Sequence, residues 1–232
     1  MKLYLNICIV IFSSISFLSC AFAPVNNQYE RATTLKKGNI EFSGSFSSYS
    51  GGGAGGFENT NRNFGGRFGF GVTDKFDLKF RYERLMPTDG FKGTDVFDEG
   101  EIKSVNYFAV IPKFALVPQK LSLLIPVSHY GFKETVNGKD SKGVLNSIAP
   151  QILYTTTNKK NTTDFSVGFK ADCLFNDEGG AGVLLGTTLG AGFSSDLDKW
   201  AIRPEVGALF IAGGAYVSYG VGVQYMFLVK RK

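Results

Sequence analysis

From residue 39 onward, apolar and polar residues alternate with a period of two, which marks strands with one face in an apolar setting and the other in a polar one. In 75–86, Phe76, Leu78, Phe80 and Tyr82 share one face, and Asp77, Lys79, Arg81 and Glu83 share the other. The same split separates Phe165, Val167, Phe169, Ala171 and Cys173 from Asp164, Ser166, Gly168, Lys170 and Asp172. The pattern predicts ten strands, at about 39–48, 62–73, 75–86, 102–115, 120–132, 144–157, 162–175, 181–194, 199–211 and 214–228. The segment 102–115 is apolar on both faces, so its parity stays open. Most segments run 10 to 14 residues. That suits tilted membrane strands, which need ~9–11 residues in the apolar core, better than a soluble sandwich with strands of ~5–6.

The connections alternate in length. Thr73-Asp74-Lys75, Pro118-Gln119-Lys120, Asn158-Lys159-Lys160-Asn161 and Ser195-Asp196-Leu197-Asp198 read as tight turns. The others, 49–61, 87–101, 133–143 and 176–180, are mostly longer, and Ala212-Gly213-Gly214 is short. Short turns at one end and longer loops at the other are characteristic of outer-membrane barrels. Alternation alone does not say which face is outside, and the inverted arrangement is a lipocalin-like soluble barrel with an apolar interior. Two features favour apolar-out. Aromatics gather near both ends of the apolar faces: Phe76, Phe114, Tyr154, Phe193, Trp200, Tyr225 and Phe227 at the turn end, and Phe46, Phe64, Tyr82, Phe175 and Phe210 at the loop end. The polar faces combine Gly and Ser with charges of both signs, as a narrow lumen requires. The inferred lumen holds Glu41, Arg67, Asp77, Lys79, Arg81, Glu83, Lys170, Asp172, Arg203 and Glu205. This balance predicts a salt-bridged interior without a wide channel.

The stretches TLKKGNIEFSGSFSSYS and NRNFGGRFGFGVTDKFDLKFRYERL resemble small Gram-negative outer-membrane β-barrel domain proteins, in which a strand ending Gly-Val-Thr-Asp-Lys turns into the next. The resemblance covers most of the mature chain as a pattern and has no invariant catalytic motif. It implies an all-β, ten-stranded antiparallel up-and-down transmembrane barrel over 39–229 in the outer membrane. Its partners would be outer-membrane lipid and the barrel assembly machinery. Such barrels often end on an aromatic residue, whereas here Phe227 is followed by LVKRK.

The first residues, MKLYLNICIVIFSSISFLSC, carry Lys2 and then an apolar run of signal-peptide length. Two cleavage sites compete. Phe17-Leu18-Ser19-Cys20 resembles a lipobox and would make Cys20 a lipidated N-terminus. Ala21-Phe22-Ala23 is an A-x-A pattern, but Pro24 follows the cut and fits a protease cleft poorly. The lipoprotein reading is preferred: a signal at 1–19 and a lipid-anchored tether at 20–38, polar and without a clear period. An export signal also delivers the chain to where such barrels reside.

The chain has 232 residues, a formal charge of +5, one His and three Cys. Such sparse His and Cys predict no metal site and no cofactor. Lys and Arg are dispersed rather than clustered, which argues against nucleic acid as a partner. With Cys8 in the signal and Cys20 lipidated, Cys173 has no disulfide partner and is read as an apolar filler facing lipid. A monomer is the expectation.

Candidate chemistry is thin. Gly51 to Gly56 lacks the ending of a phosphate loop and reads as a surface loop. His129, with Asn146 on the next strand and Ser104 and Asn106 on the other side, makes a lipid-facing Ser–His–Asn hydrolase conceivable, but no motif supports it. The simpler reading is rim residues among headgroups, and the chain is read as a non-enzyme. Arg81 and Arg203 could bind an anionic solute; the favoured reading pairs them with Glu83 and Glu205. The segment KETVNGKDSKG carries three Lys that could meet lipopolysaccharide phosphates, although a solvated loop is simpler. The main functional reading is a structural or surface role with passive small-solute passage left open. A periplasmic lipocalin-like lipoprotein binding an apolar ligand is the first alternative, and an outer-membrane lipid hydrolase the second.

Overall fold

The computed structural model describes residues 22–53, 56–88, 101–136, 139–176, 179–211 and 214–228. Its regular structure is entirely strand: β1 (Ile40–Gly53), β2 (Gly56–Thr73), β3 (Phe76–Pro87), β4 (Glu101–Val117), β5 (Leu121–Leu124), β6 (Val127–Val136), β7 (Lys139–Ile148), β8 (Gln151–Thr157), β9 (Thr163–Phe175), β10 (Ala181–Phe193), β11 (Trp200–Ile211) and β12 (Gly214–Phe227). Twelve segments make ten staves, because β5 continues into β6 and β7 into β8. The interruptions fall at Pro126 and Pro150, where the missing N–H breaks the ladder. Their carbonyls still bridge: Ala149 N–H donates to Pro126 O (2.9 Å) and Ala171 N–H to Pro150 O (3.1 Å).

All pairings are antiparallel between chain neighbours, and β1 pairs with both β2 and β12. The sheet closes on itself and has no free edge, which satisfies the backbone without solvent. The expected stave order holds. Two expected loops are mostly strand. β1 and β2 continue to Gly53 and from Gly56, and β6 and β7 continue to Val136 and from Lys139. Ladder hydrogen bonds need no apolar side chains, so polar residues extend these hairpins beyond the apolar band. The Gly-rich run is thus largely strand, with 54–55 outside the described residues, as are 89–100 of the expected loop 87–101.

The apolar faces point outward. Phe42, Phe80, Phe108, Phe165, Phe169, Phe210 and Tyr225 are all exposed, as are Phe64 and Tyr82 toward the loop end and Phe114, Tyr154 and Phe193 toward the turn end. The inverted, lipocalin-like arrangement therefore has no counterpart here. The open parity of β4 resolves the same way: Val105, Tyr107, Ala109, Ile111 and Lys113 face in, while Phe108, Val110 and Phe114 face out.

The largest departure concerns the expected tether. Residues 22–32 and Leu35 are buried inside the barrel. Phe22 packs in the upper lumen against Tyr130 (5.5 Å between ring centroids) and Phe132 (5.9 Å). The segment then descends to the turn end. There Lys37 N–H donates to Asp74 Oδ1 (3.0 Å) and Gly38 N–H to Gly71 O (2.7 Å), before β1 climbs back. The polar composition that suggested a solvated tether matches the polar interior instead.

Candidate functional site

An irregular segment inside a barrel must find partners for its backbone N–H and C=O groups, and the wall supplies many of them. Ala23 N–H donates to Asn61 Oδ1 (3.0 Å), Val25 N–H to the Tyr130 hydroxyl (3.2 Å) and Asn26 N–H to the Tyr49 hydroxyl (2.8 Å). The Asn26 side-chain amide bridges Thr187 O (3.1 Å) and Ala208 O (3.2 Å). Glu205 receives two consecutive backbone donors, Gln28 N–H on Oε1 (2.6 Å) and Tyr29 N–H on Oε2 (2.8 Å). This grip holds Tyr29 at φ 53°, an uncommon value for a residue with a side chain. Lower down, Ala32 N–H donates to Thr155 Oγ1 (2.7 Å) and Leu35 N–H to Asp77 Oδ1 (2.8 Å).

Lumen glycines create the space. A Cβ at Gly186 or Gly207 would lie 2.6 or 2.5 Å from the Asn26 amide. A Cβ at Gly220 or Gly222 would lie 2.1 Å from the Tyr29 hydroxyl or 2.6 Å from Tyr29 Cβ. The small residues on the polar faces thus leave room for a second chain segment rather than for a channel.

The charges follow the same logic. Glu30 enters from the plug and meets three cations of the wall: Lys79, Lys113 (2.7 Å) and Arg67 (3.2 Å). Glu41 shares two of them, lying 3.1 Å from Arg67 and 3.2 Å from Lys79. Lys113 Nζ also donates to the plug carbonyls of Arg31 (2.7 Å) and Thr33 (2.8 Å). Lys170 Nζ bridges Val25 O (2.6 Å) and Asp172 (3.0 Å). At the turn end, Arg31 reaches Asp198 (2.6 Å). In that same turn, outside the strands, the Asp198 N–H and then the Lys199 ammonium hold the Asp196 carboxyl below the usual carboxylate range.

All ten residues read as lumen charges are buried inside the barrel. Arg81 pairs with Glu83 (2.5 Å), as expected. Arg203 does not pair with Glu205. Its guanidinium takes Asp164 in a fork (2.9 and 2.7 Å) and Gln224 (2.9 Å), because the plug backbone occupies Glu205. Sequence reasoning missed Glu30, Arg31, Lys113 and Asp164 as members. Lys113 had a readable signal, since it shares a face with Val105, Tyr107, Ala109 and Ile111 and so marks the inner side of an ambiguous strand. Glu30 and Arg31 had none, lying in a stretch without a period. Among the described residues, the buried charges are Arg31, Arg67, Lys79, Arg81, Lys113, Lys170 and Arg203 against Glu30, Glu41, Asp77, Glu83, Asp164, Asp172 and Glu205. Wall and plug are each balanced, the plug adding one Glu and one Arg, so what the plug changes is local pairing: Glu30 meets Lys79, Lys113 and Arg67.

Cys20 lies outside the described residues; Cys173 is free and exposed on the outer wall. On that wall, His129 Nδ1 stands 2.9 Å from Asn146 Oδ1, and Asn106 Oδ1 accepts from the Tyr82 hydroxyl (2.9 Å). Ser104 does not join them. It pairs across the ladder with Lys133, four residues beyond His129, and its Oγ accepts from Arg84 (3.4 Å). At ~3.3 Å per residue that is about 13 Å from the imidazole. The sequence-level Ser–His–Asn grouping is therefore a His–Asn pair without its serine.

No family model matches the chain, and no curated protein matches it. Solved structures do. The translocator domain of autotransporter NalP from Neisseria meningitidis matches over 97% of this chain and 95% of its own, at 11% identity and a TM-score of 0.53. Ail, the attachment invasion locus protein of Yersinia pestis, matches over 82% and 99%, at 12% identity and a TM-score of 0.39. The outer membrane protein OprG from Pseudomonas aeruginosa matches over 86% and 100%, at 12% identity and a TM-score of 0.36. The NalP likeness is one of fold, and the other two superpose too loosely to add to it. The chain has the fold of an outer-membrane β-barrel.

A cavity of about 160 Å³ remains at the turn end, lined in part by Glu30, Arg31, Glu41 and Asp198. At ~30 Å³ per water it holds only a few molecules. What the interior does chemically is bind its own chain.

Proposed function

We propose that the protein is an integral outer-membrane barrel closed by its own N-terminal segment, with a structural or surface-exposed role and no standing solute path. The observation that carries this reading is the buried run 22–35, which combines an apolar-out, charge-in wall with a lumen filled by the same chain. Turns face the periplasm and the longer hairpins face outward, in keeping with an export signal. Passive passage then requires displacement of the plug. Cys20 is lipidated in this reading, and mass spectrometry of the mature N-terminus distinguishes a lipidated Cys20 from a start at Pro24. The barrel assembly machinery inserts the chain, which stays monomeric. No chemical reaction is assigned: His129→Ala should leave lipid turnover unchanged, and any loss would favour a hydrolase.

The test combines accessibility and conductance. In a background lacking Cys173, cysteines at Tyr82 and Val221 should label from lipid and resist aqueous maleimide. In planar bilayers the intact protein should give no steady conductance. A protein that is soluble without detergent would overturn membrane residence, and a steady open channel would overturn closure by the plug.

A further inference from the structure

On the outer wall, a furrow of about 850 Å³ runs diagonally across β1–β4, β6, β7 and β9. One bank is Phe42, Phe68, Phe80, Val110 and Val127, and the other rises through Tyr82, Phe108 and His129 to Asn146 and Phe175. The two banks are successive cross-strand rows, since Phe68 pairs with Phe80 and Val110 with Val127, while Tyr82 pairs with Phe108 and His129 with Asn146. Gly66, which carries no side chain, widens the gap between Phe68 and Phe64. A trough of this shape and apolarity fits extended acyl chain.

Its upper bank is polar at one place only, where the Tyr82 hydroxyl, Asn106, His129 and Asn146 gather within two hydrogen-bonded pairs. Above that ledge the wall is cationic. Arg84 lies one row up, beside Asn106 and bonded to Ser104. Lys133 and Lys142 sit directly opposite each other on β6 and β7. Like charges in direct cross-strand register are unfavourable by themselves and are relieved by a shared anion. Arg62 on β2 joins the group, and Glu58 on β2 and Asp140 on β7 are carboxylates at the same end of the wall; all six are exposed. The opposite wall differs. Its outward residues at this height on β9–β12, such as Val183, Leu185, Phe210 and Val217, are apolar.

We propose that this wall is a binding site for a phosphorylated, multiply acylated lipid of the outer leaflet. An acyl chain would lie in the furrow, the headgroup's hydroxyls and carbonyls would rest on the Tyr82–Asn106–His129–Asn146 ledge, and a phosphate would sit between Arg84 and the Lys133–Lys142 pair. The proposal rests on the membrane reading above. It adds a ligand class and a side to that reading. The leaflet follows from position, since the cations lie near the outward hairpins while the furrow reaches down to mid-wall.

The test uses the full mature protein in detergent, with lipid retention read by native mass spectrometry. The probes are diphosphorylated lipid A, the same lipid without phosphates, and phosphatidylglycerol. The diphosphorylated form should bind at least tenfold more tightly than the other two. The triple variant Arg84→Ala/Lys133→Ala/Lys142→Ala should cut that preference below twofold. Gly66→Leu, which fills the furrow, should weaken both forms of lipid A. Lys159→Ala/Lys160→Ala at the turn end should change nothing. Heat-modifiable gel mobility reports folding for every variant. Equal retention of the three lipids, or a triple variant that keeps the preference, overturns the site. Equal retention of lipid A and phosphatidylglycerol overturns its assignment to the outer leaflet. A protein that needs no detergent defeats the membrane reading itself and is recognised before any lipid is added.

Discussion

At the scale of single residues, Glu30 holds the most consequential position. It is the one plug carboxylate, and three wall cations converge on it. Removing one partner of a buried ionic cluster strands the others, typically at roughly 3–5 kcal/mol. Glu30→Gln should therefore loosen the plug and produce intermittent conductance in bilayers, while heat-modifiable mobility persists. Asp198 offers the contrast. Its pair with Arg31 is largely exposed on the aspartate side, where such pairs contribute about 0–1 kcal/mol. Asp198→Ala should leave both the unfolding midpoint and the conductance nearly unchanged. Gly222→Val tests space instead of charge: its side chain would meet Tyr29 Cβ at 2.6 Å or less. The variant should keep the barrel and expel the plug, giving steady rather than flickering conductance.

At the scale of elements, period-two alternation made the staves legible because each strand borders two different environments. Strand 75–86 is the clearest case, with charges on every second position. Parity is unreadable where both faces are apolar, as in β4. There the inner side of the wall meets Phe22 and neighbouring plug residues, so the usual polar contrast is lost. The stretch 22–35 is unreadable for another reason. A segment whose backbone is satisfied by Tyr49, Tyr130, Glu205 and Thr155, residues far apart in sequence, has no local period to read. Membership of most lumen charges was visible from parity, but their partners were not, because the plug decides them, as Glu205 and Arg203 illustrate. The contact of plug and stave can be fixed chemically. Cysteines at Ala32 and Thr155, neighbours through the 2.7 Å bond from the Ala32 backbone N–H to the Thr155 hydroxyl, should form a disulfide in a Cys173→Ser background. The linked protein should run as a distinct band after denaturation, and failure to link would place the segment elsewhere.

At the scale of the whole molecule, the pairing of buried charges is a property of barrel and plug together. A wall folded alone would carry Lys113 and Lys79 without Glu30, and Glu205 without its two backbone donors. The direction of the plug sharpens the point. Its first described residues stand high in the lumen and its last lie at the turns, so the chain has to pass N-terminus first through the space that the ring encloses. Thr187 O on β10 and Ala208 O and Glu205 on β11, late strands of the ring, hold Asn26, Gln28 and Tyr29 together with Tyr49 on β1 and Arg67 on β2. Threading an already sealed ring would strip those contacts of any role in closure. The geometry suits the reverse order, with the N-terminal segment serving as a mandrel around which the late strands wrap. Plug variants should then slow the appearance of the heat-resistant form in pulse-labelled cells, in addition to making the finished barrel leaky.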